Sequence, residues 1–218
     1  MSTHEIKIYS RETSIVFKKT KEPFGTMSNM APGFPLLING VKILTSEALY
    51  QACRFPHKPD VQREIIKQIS PMTAKMKSKP HRNESRQDWF EARISIMRWC
   101  LRLKLYQNWF KFSEELKNTK GLPIVEESHK DSFWGAIPDE DNNNLFGTNA
   151  LGRLLMELRE EAIHADYEIA LVNPPNIDNF LLYGKPIGTI KCILNKNIMT
   201  HEYKKPKFEV EQTFLFDD

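Results

Sequence analysis

The chain has 218 residues and a mass of 25.5 kDa, and 40% of its residues are hydrophobic while 27% are charged. This length suits one domain, or one domain with an appendage, and the composition excludes disordered and fibrous proteins.

The net charge is only +3, but thirteen Lys and Arg against five Asp and Glu lie between Arg54 and Lys104. A basic half beside an acidic half suits an anionic ligand, either a phosphorylated metabolite or a nucleic acid. The exposed faces of long helices give the same pattern.

Cysteine content and hydropathy restrict the class of protein further. Three cysteines without a C-x-x-C pair argue against a disulfide scaffold and against a cysteine-rich zinc site. No apolar run approaches the roughly 18 residues that span a bilayer, and the first twelve residues lack the apolar core of a secretory signal. We therefore expect a cytoplasmic protein with no membrane partner, and nothing in the sequence requires a metal or another cofactor.

Short apolar runs and the residues between them predict the elements of the first half of the chain. Asn39-Gly40 lies between two apolar runs, which is typical of a hairpin with a type I′ turn. Thr45-Ser46 then offers helix caps. The predicted elements are a strand at 13–17, a hairpin at 35–44, a helix at 46–55 ended by Pro56 and Pro59, a helix at about 60–69, and a short helix opened by Ser70-Pro71.

The second half begins with the clearest helix, at 87–106, where Phe90, Ile94, Met97 and Leu101 keep a spacing of three to four residues. Helical sequence continues over 107–118. The further predicted elements are a strand at 122–126, an exposed loop at 138–149, and a helix at 150–164 capped by Asn149, with Leu151, Leu154, Leu155 and Leu158 as its apolar stripe.

After residue 166 the pattern becomes strand-like, in YEIALV, PIGTIKCIL and KFEVEQTFLF, with NPPNIDN as a turn-rich connector. About fifty residues with few large apolar side chains would be marginally stable alone. We therefore interpret 166–218 as an extension packed on a catalytic body at 1–165.

The first candidate site lies at the start of the helix after the hairpin. Glu47, Gln51 and Arg54 are spaced i, i+4 and i+7, so they share one helix face. A carboxylate, an amide and a guanidinium on one stripe could polarise a sugar and hold a phosphate. Alternatively, Glu47 only complements the helix dipole and Arg54 is solvent-exposed.

Two further segments carry candidate ligand-binding residues. In GTNALG, Asn149 and Gly152 lie at a helix start, where free N–H groups bind anions; a capped helix with a packing glycine is the alternative. The polar loop before it does not support a dinucleotide-binding unit. In ESHKDSFWG, Asp131 could bond ribose hydroxyls and Trp134-Gly135 could give an aromatic platform; a Trp134 buried in the core is the alternative. His129 with Asp131 makes too few ligands for a metal.

The last two candidates are a loop and a helix start. Asn29 belongs to the loop segment FGTMSNM, and loops carry function more often than cores do. SRQDW places Arg86, Asp88 and Trp89 together, although Asp88 there also suits a helix cap. From the residues alone, the chain is a globular protein that handles a phosphate or a nucleotide.

Taken together and in order, these segments resemble the NADAR (NAD and ADP-ribose) superfamily, the group that includes the YbiA-like N-glycosidases. The matching segments cover roughly 15–162 and are FGTMSNM, INGVKILTSEALYQACRF, SPMTAK, SRQDW, IVEES, DSFWG and GTNALGRLLMELRE. The region after 166 is closer to longer members than to compact ones. The resemblance implies an α+β fold, mainly helical, with a cleft for ADP-ribose or a ribose phosphate.

The resemblance also implies hydrolysis of an N-glycosidic bond. Compact members act on early riboflavin-pathway intermediates, and other members, some paired with DarT-type toxins, remove ADP-ribose from guanine in DNA. We expect the second activity here, because the basic stretch and the longer C-terminal region suit a nucleic acid. A riboflavin-type activity and a non-catalytic binder of ADP-ribose or nucleic acid stay open. The implied partner is ADP-ribosylated nucleic acid or a ribose-phosphate metabolite, and a DarT-type toxin of the same system is a further candidate.

By position, the resemblance makes Glu47 the general acid or base. The family usually has Lys where this chain has Arg54, and an arginine binds phosphate but stays protonated, so it is a poor amine nucleophile. Lys75 is the nearest substitute if the reaction needs an amine. We expect diphosphate near Arg54 and the helix start at Asn149, with Trp89 or Trp134 stacked on a base. The residues implied to bind substrate are Asn29, Gln51, Arg54, Trp89, Asp131, Trp134, Gly135, Asn149 and Gly152.

Overall fold

The computed structural model describes residues 5–166 and 168–194, and within them the chain is an α+β protein that is mainly helical, as predicted. The helices are α1 (Ser46–Ala52), α2 (Pro59–Ile66), α3 (Pro71–Ser78), α4 (Trp89–Gln107), α5 (Trp109–Lys117) and α6 (Ala150–His164). The strands are β1 (Lys7–Ser10), β2 (Ile15–Phe17), β3 (Leu36–Ile38), β4 (Val41–Ile43), β5 (Ile124–Glu126), β6 (Ile137–Pro138), β7 (Asn144–Gly147), β8 (Ile169–Val172), β9 (Leu181–Leu182), β10 (Lys185–Pro186) and β11 (Ile190–Ile193).

The strands form small sheets rather than one large sheet. β7 pairs antiparallel with β1 on one side and with β6 on the other, while β2 and β5 form a parallel pair. β8 pairs antiparallel with β11, and β9 with β10. The hairpin of β3 and β4 turns at Asn39 and Gly40, whose φ angles of 50° and 77° are both positive, as the predicted type I′ turn requires.

The hydrophobic core surrounds α4, which buries Ile96, Trp99, Cys100 and Leu103. The predicted leucine stripe of α6 is buried against the same core. Ala170 and Cys192, on β8 and β11, belong to this core too, so the strands after α6 pack on the helices. The three cysteines are buried and free.

Helix caps explain where the first helices begin. The hydroxyl of Thr45 accepts a hydrogen bond from the N–H of Ala48, and the hydroxyl of Ser70 accepts one from the N–H of Thr73. Pro59 takes the first position of α2 instead of ending α1, which stops at Ala52. These contacts fix the axis of α1, on which the first candidate residues lie.

Two expectations for the elements were wrong, and one was confirmed in part. The segment 138–149 is not only a loop, because it contains β7, which Leu145 anchors in a small core; the polar residues around it hid the strand pattern. The helical sequence predicted over 107–118 forms α5, but as a separate helix, because the chain breaks at Asn108, whose side chain donates to the carbonyls of Lys104 and Pro35. Phe90 is 70% exposed rather than buried. The predicted strand KFEVEQTFLF lies outside the described residues.

In the part of the chain that the structure describes, no helix combines the length and the apolar character needed to cross a bilayer.

Candidate active site

A cleft with a volume of about 420 Å³ opens between α1, α3, the start of α4 and the segment that follows β5. This volume lies in the usual range for small-molecule sites, about 300–1,000 Å³. The cleft brings together eight of the eleven residues predicted from the sequence. They are Asn29, Glu47, Gln51, Arg54, Lys75, Trp89, Asp131 and Trp134.

Glu47 lies in this cleft with only 5% of its surface exposed. One carboxylate oxygen, Oε2, accepts a hydrogen bond of 2.7 Å from Asn29 Nδ2, and Oε1 accepts one of 2.9 Å from Gln51 Nε2. Ser78 in turn donates to Gln51 Oε1 over 2.7 Å. These bonds fix the carboxylate in one orientation, so Glu47 is held by its neighbours and is not merely a charge at the helix start.

The backbone also ties Asn29 to α1. Its carbonyl accepts hydrogen bonds from the N–H of Glu47 and from the hydroxyl of Ser46, each over 3.1 Å. Within the described residues, Asn29 Oδ1 is buried and has no hydrogen-bond partner. A buried acceptor without a partner at a cleft wall is suited to a ligand hydroxyl.

A second carboxylate, Glu126 at the end of β5, also lines the cleft. Burial, followed by the negative charges of Asp131 and Glu47, raises its pKa to about 7, against an opposing effect of Lys75. Two carboxylates in one cleft, one of them protonated near neutral pH, form an arrangement suited to acid–base catalysis. The segment IVEES contained Glu126, but its altered pKa depends on tertiary burial and was not predicted.

Four cations line the cleft, and they are most of the Lys and Arg between 54 and 104 that form no ion pair within the described residues. Of the thirteen Lys and Arg between 54 and 104, Lys104 is buried and six form ion pairs within the described residues, namely Lys58, Arg63, Lys77, Arg86, Arg98 and Arg102. Of the six others, four line the cleft: Arg54, Lys75, Arg82 and Arg93. The basic stretch therefore concentrates charge in the cleft.

The aromatic residues of the cleft differ in what they can offer to a ligand. Trp89 is 6% exposed, and its ring packs against Tyr50 at 5.1 Å and under the guanidinium of Arg54 at 4.8 Å. Burial and the charge of Glu47 raise the pKa of Tyr50 well above its ordinary value. Phe90 is the exposed aromatic at the cleft. Trp89 therefore leaves little of its ring surface open to a ligand, whereas most of the Phe90 side chain is exposed.

Arg93 completes this end of the cleft. Its guanidinium lies 3.8 Å from the centroid of the Phe133 ring, and 5.3 Å from that of Phe90. Its Nε is buried and has no hydrogen-bond partner within the described residues. Neither residue was predicted for the site: the helical spacing of Phe90 indicated a core face, and no signal in the sequence separated Arg93 from the other cations of the basic stretch.

Three predicted site residues do not line the cleft but support its wall. The side chain of Asn149 donates from Nδ2 to the carbonyl of Ile124 (2.8 Å) and accepts at Oδ1 from the N–H of Glu126 (3.1 Å). A Cβ on Gly152 would lie 2.1 Å from the Ile124 carbonyl oxygen, and one on Gly135 would lie 2.5 Å from that of Glu126. These residues hold β5 in place, which positions the Glu126 carboxylate.

The start of α6 does not offer the free N–H groups expected for an anion. The N–H groups of Thr148, Asn149, Ala150 and Leu151 donate to carbonyls of 132–135. Asn149 is at the N-cap position with φ 50°, but its side chain makes no capping hydrogen bond because it bonds β5 instead. Asp131 similarly organises the loop before α6, where its Oδ1 accepts from the N–H groups of Phe133 and Trp134.

Comparisons with known proteins show which family this chain belongs to. Residues 16–162 match the NADAR domain family. The chain is 33% identical to N-glycosidase YbiA of Escherichia coli K12 over 152 residues, which are 69% of this chain and 89% of that protein. It is 30% identical to a riboflavin biosynthesis protein of Vibrio vulnificus YJ016 over 187 residues, which are 83% of this chain but only 49% of that longer protein.

The fold is similar to that of a solved relative. The NMR structure of YbiA from E. coli superposes with a TM-score of 0.57 at 27% sequence identity, covering 72% of this chain and 95% of that one.

We expect Asn149→Ala to lower the free energy of unfolding by about 2 kcal/mol, because the buried carbonyl of Ile124 and the half-buried N–H of Glu126 lose their partner, and an unsatisfied buried group costs about 1–3 kcal/mol. Urea denaturation measures this loss. Asn179→Ala is the matched control, since Asn179 is exposed and has nearly the same φ of 51°. Equal losses in both variants would mean that backbone strain, and not the bridge to β5, explains the effect.

Proposed function

Since this chain belongs to the NADAR domain family, we propose that it is an N-glycosidase that hydrolyses the bond between an amino-linked base and C1 of a phosphorylated ribose. The observation that carries the proposal is the buried Glu47 carboxylate, held by Asn29 and Gln51 in a cleft that also contains cations. Relatives named N-glycosidase support it.

In the proposed reaction, Glu126 is the general acid and Glu47 the general base. Glu126, protonated below about pH 7, gives its proton to the leaving nitrogen as the C1–N bond breaks and the bonding electron pair moves to that nitrogen. Glu47 accepts a proton from the attacking water, whose oxygen forms the new bond to C1. The products are the free amine of the base and a ribose with a hydroxyl at C1. A proton then passes from Glu47 to Glu126 through solvent, which restores both groups.

The remaining cleft residues suit the rest of the substrate. Arg54 and Arg82 would bind phosphate, and Arg54 Nε is oriented by a 2.5 Å hydrogen bond to the hydroxyl of Ser85. The free Oδ1 of Asn29 would accept a ribose hydroxyl. The exposed ring of Phe90 would stack on the base beside Arg93.

A covalent route is the alternative mechanism, and it would use Lys75 because Arg54 is a poor amine nucleophile. Lys75 lines the same cleft. Its amine would add to C1 of the ring-opened sugar, the base amine would leave, and water would hydrolyse the resulting imine. Borohydride reduction during turnover would trap this imine on Lys75, whereas the acid–base route leaves no adduct.

For the substrate we propose ADP-ribosylated guanine in DNA. The four cleft cations exceed what a single phosphate needs, and Phe90 with Arg93 offers a place for a base at the open edge. A ribosylamino-pyrimidine phosphate of riboflavin synthesis is the second candidate, and the riboflavin biosynthesis protein among the relatives favours it. If the first substrate is correct, a DarT-type toxin of the same system would be the source of the modification.

The direct test incubates the purified chain with guanine-ADP-ribosylated DNA and, separately, with the ribosylamino-pyrimidine phosphate, and measures the released sugar. Release of ADP-ribose from DNA supports the proposed substrate. Release from the pyrimidine compound alone would show the second activity. Tight ADP-ribose binding without release from either would identify a non-catalytic binder.

We expect Glu47→Gln to lower kcat/KM by about 10²–10⁴-fold, since the amide keeps the shape of the side chain but accepts no proton. Glu114→Gln, at an exposed position of α5, is the control and keeps wild-type activity. A loss smaller than about tenfold would contradict the role of Glu47.

The activity should also fall as pH rises through about 7, because Glu126 then loses the proton that it donates. In Glu126→Gln we expect kcat to fall by about 10²–10⁴-fold and this descending limb of the pH profile to disappear. Initial rates between pH 5 and 9 (roughly the range in which such groups titrate) measure both effects. An unchanged limb in the variant would assign it to another group.

For the base-stacking surface, Phe90→Ala should weaken binding of the ADP-ribosylated substrate about five- to 150-fold, because one aromatic–base stack contributes about 1–3 kcal/mol. The control is Phe110→Ala, which truncates a 40% exposed phenylalanine of α5. Equal binding by the Phe90 variant and the wild type would place the base elsewhere in the cleft.

A further inference from the structure

Lys104 of α4 is fully buried, yet it plays no part in the chemistry described above. Its Nζ donates hydrogen bonds of 2.6 Å to the carbonyl of Thr26 and 2.9 Å to that of Ser28. These two carbonyls lie on either side of Met27, in the segment that leads into Asn29. Burying a cation in a core costs free energy unless hydrogen bonds compensate for the lost hydration. The contact of Lys104 with this segment therefore needs an explanation.

The surroundings of Lys104 hold the amine in one position. Its Nζ lies 4.7 Å from the ring centroid of Phe34 and 4.4 Å from that of Phe112. The charged groups that face it are Glu115 and Lys111, both on α5. Glu115 also accepts a 2.6 Å hydrogen bond from the hydroxyl of Thr26, so it anchors the same segment to α5.

The segment 26–29 is therefore held at two places. Lys104 ties the carbonyls of Thr26 and Ser28 to α4, and the carbonyl of Asn29 ties the end of the segment to the start of α1. Between these anchors, the amide of Asn29 is directed at the Glu47 carboxylate. A shift of about 1 Å in a catalytic group can cost about 10²-fold in rate, so the anchor made by Lys104 bears on catalysis.

We infer that Lys104 is a positioning residue for the Glu47 carboxylate, acting through the backbone of 26–28 and the amide of Asn29. This inference rests on the proposed function, because it concerns the carboxylate assigned there as the base. It predicts that loss of the amine impairs the chemical step more than substrate binding.

The test uses Lys104→Met, which keeps the length of the side chain but removes its donors, and Lys104→Gln, which keeps an amide donor. We expect Lys104→Met to lower kcat at least tenfold, on the order of what a displaced catalytic group costs, with KM changed much less. Lys104→Gln should recover part of kcat. In Asn29→Ala/Lys104→Met the losses should not multiply, since both changes remove the same support for Glu47.

The pH profile separates Lys104 from Glu126. Burial lowers the pKa of Lys104 to about 7, against the charge of Glu115, so both groups titrate in the same range. In Lys104→Met the descending limb near pH 7 should persist, because Glu126 is untouched, whereas Glu126→Gln removes it.

Stability is controlled with Arg159→Met, which removes another buried cation. Arg159 donates hydrogen bonds to the Thr119 hydroxyl and to the Leu122 carbonyl, which belong to a different part of the chain from 26–29. We expect it to lose stability in thermal unfolding as Lys104→Met does, but to keep kcat near that of the wild type. A folded Lys104→Met with normal kcat, an equal kcat loss in Arg159→Met, or fully multiplicative losses with Asn29→Ala would each overturn the inference.

Hydrogen exchange distinguishes failure of this inference from failure of the proposed function. The amides of Met27 and Ser28, which donate to Phe24 and Gly25 carbonyls, should exchange faster in Lys104→Met whatever the activity. If the wild type cleaves neither substrate while exchange accelerates, the proposed function fails and the anchoring of 26–28 stands. If exchange is unchanged, the anchoring itself is wrong.

Discussion

A buried carboxylate needs hydrogen-bond donors in place of water, and the arrangement of the cleft depends on meeting this need at Glu47. Two side-chain amides supply the donors, one from the same helix four residues on and one from a loop eighteen residues earlier in the chain. The first donor depends only on the helical repeat of α1. The second requires the loop before the β3–β4 hairpin to return to the start of α1, so the orientation of Glu47 depends on how that loop is held.

The opposite wall of the cleft depends on β5. This strand is short and pairs with β2 on only one edge, so its other side needs partners for its backbone. Asn149 provides two of them with one amide group that donates to the carbonyl of Ile124 and accepts from the N–H of Glu126, and the N–H of Ala136 donates to the Glu126 carbonyl. Gly152 allows the helix to approach the strand closely enough for this bridge. The wall therefore places Glu126 near Glu47 and away from bulk water, which is why its proton is retained to about pH 7.

Local rules of the chain were enough to predict one half of this site. Helical spacing placed Glu47, Gln51 and Arg54 on one face, and the Asn-Gly pair predicted the hairpin before them. The bridge made by Asn149 could not be predicted in this way, because it joins a side chain to backbone groups 23 and 25 residues away. For the same reason the sequence suggested an anion site at the start of α6, where the N–H groups are in fact bonded to the preceding loop.

Charge counted along the sequence likewise needed the fold before it could be interpreted. The excess of Lys and Arg between 54 and 104 first suggested a basic surface for nucleic acid, but half of its members other than Lys104 are neutralised by carboxylates, two of which lie on α6. Exposed pairs of this kind contribute little to stability, about 0–1 kcal/mol each, yet they remove free positive charge from the helix faces. Most of the cations of this stretch that form no ion pair within the described residues line the cleft, and there the phosphate of a substrate can take the place of the missing partner. The attraction for an anion is thus directed to the place where Glu47 and Glu126 can act on the sugar attached to it.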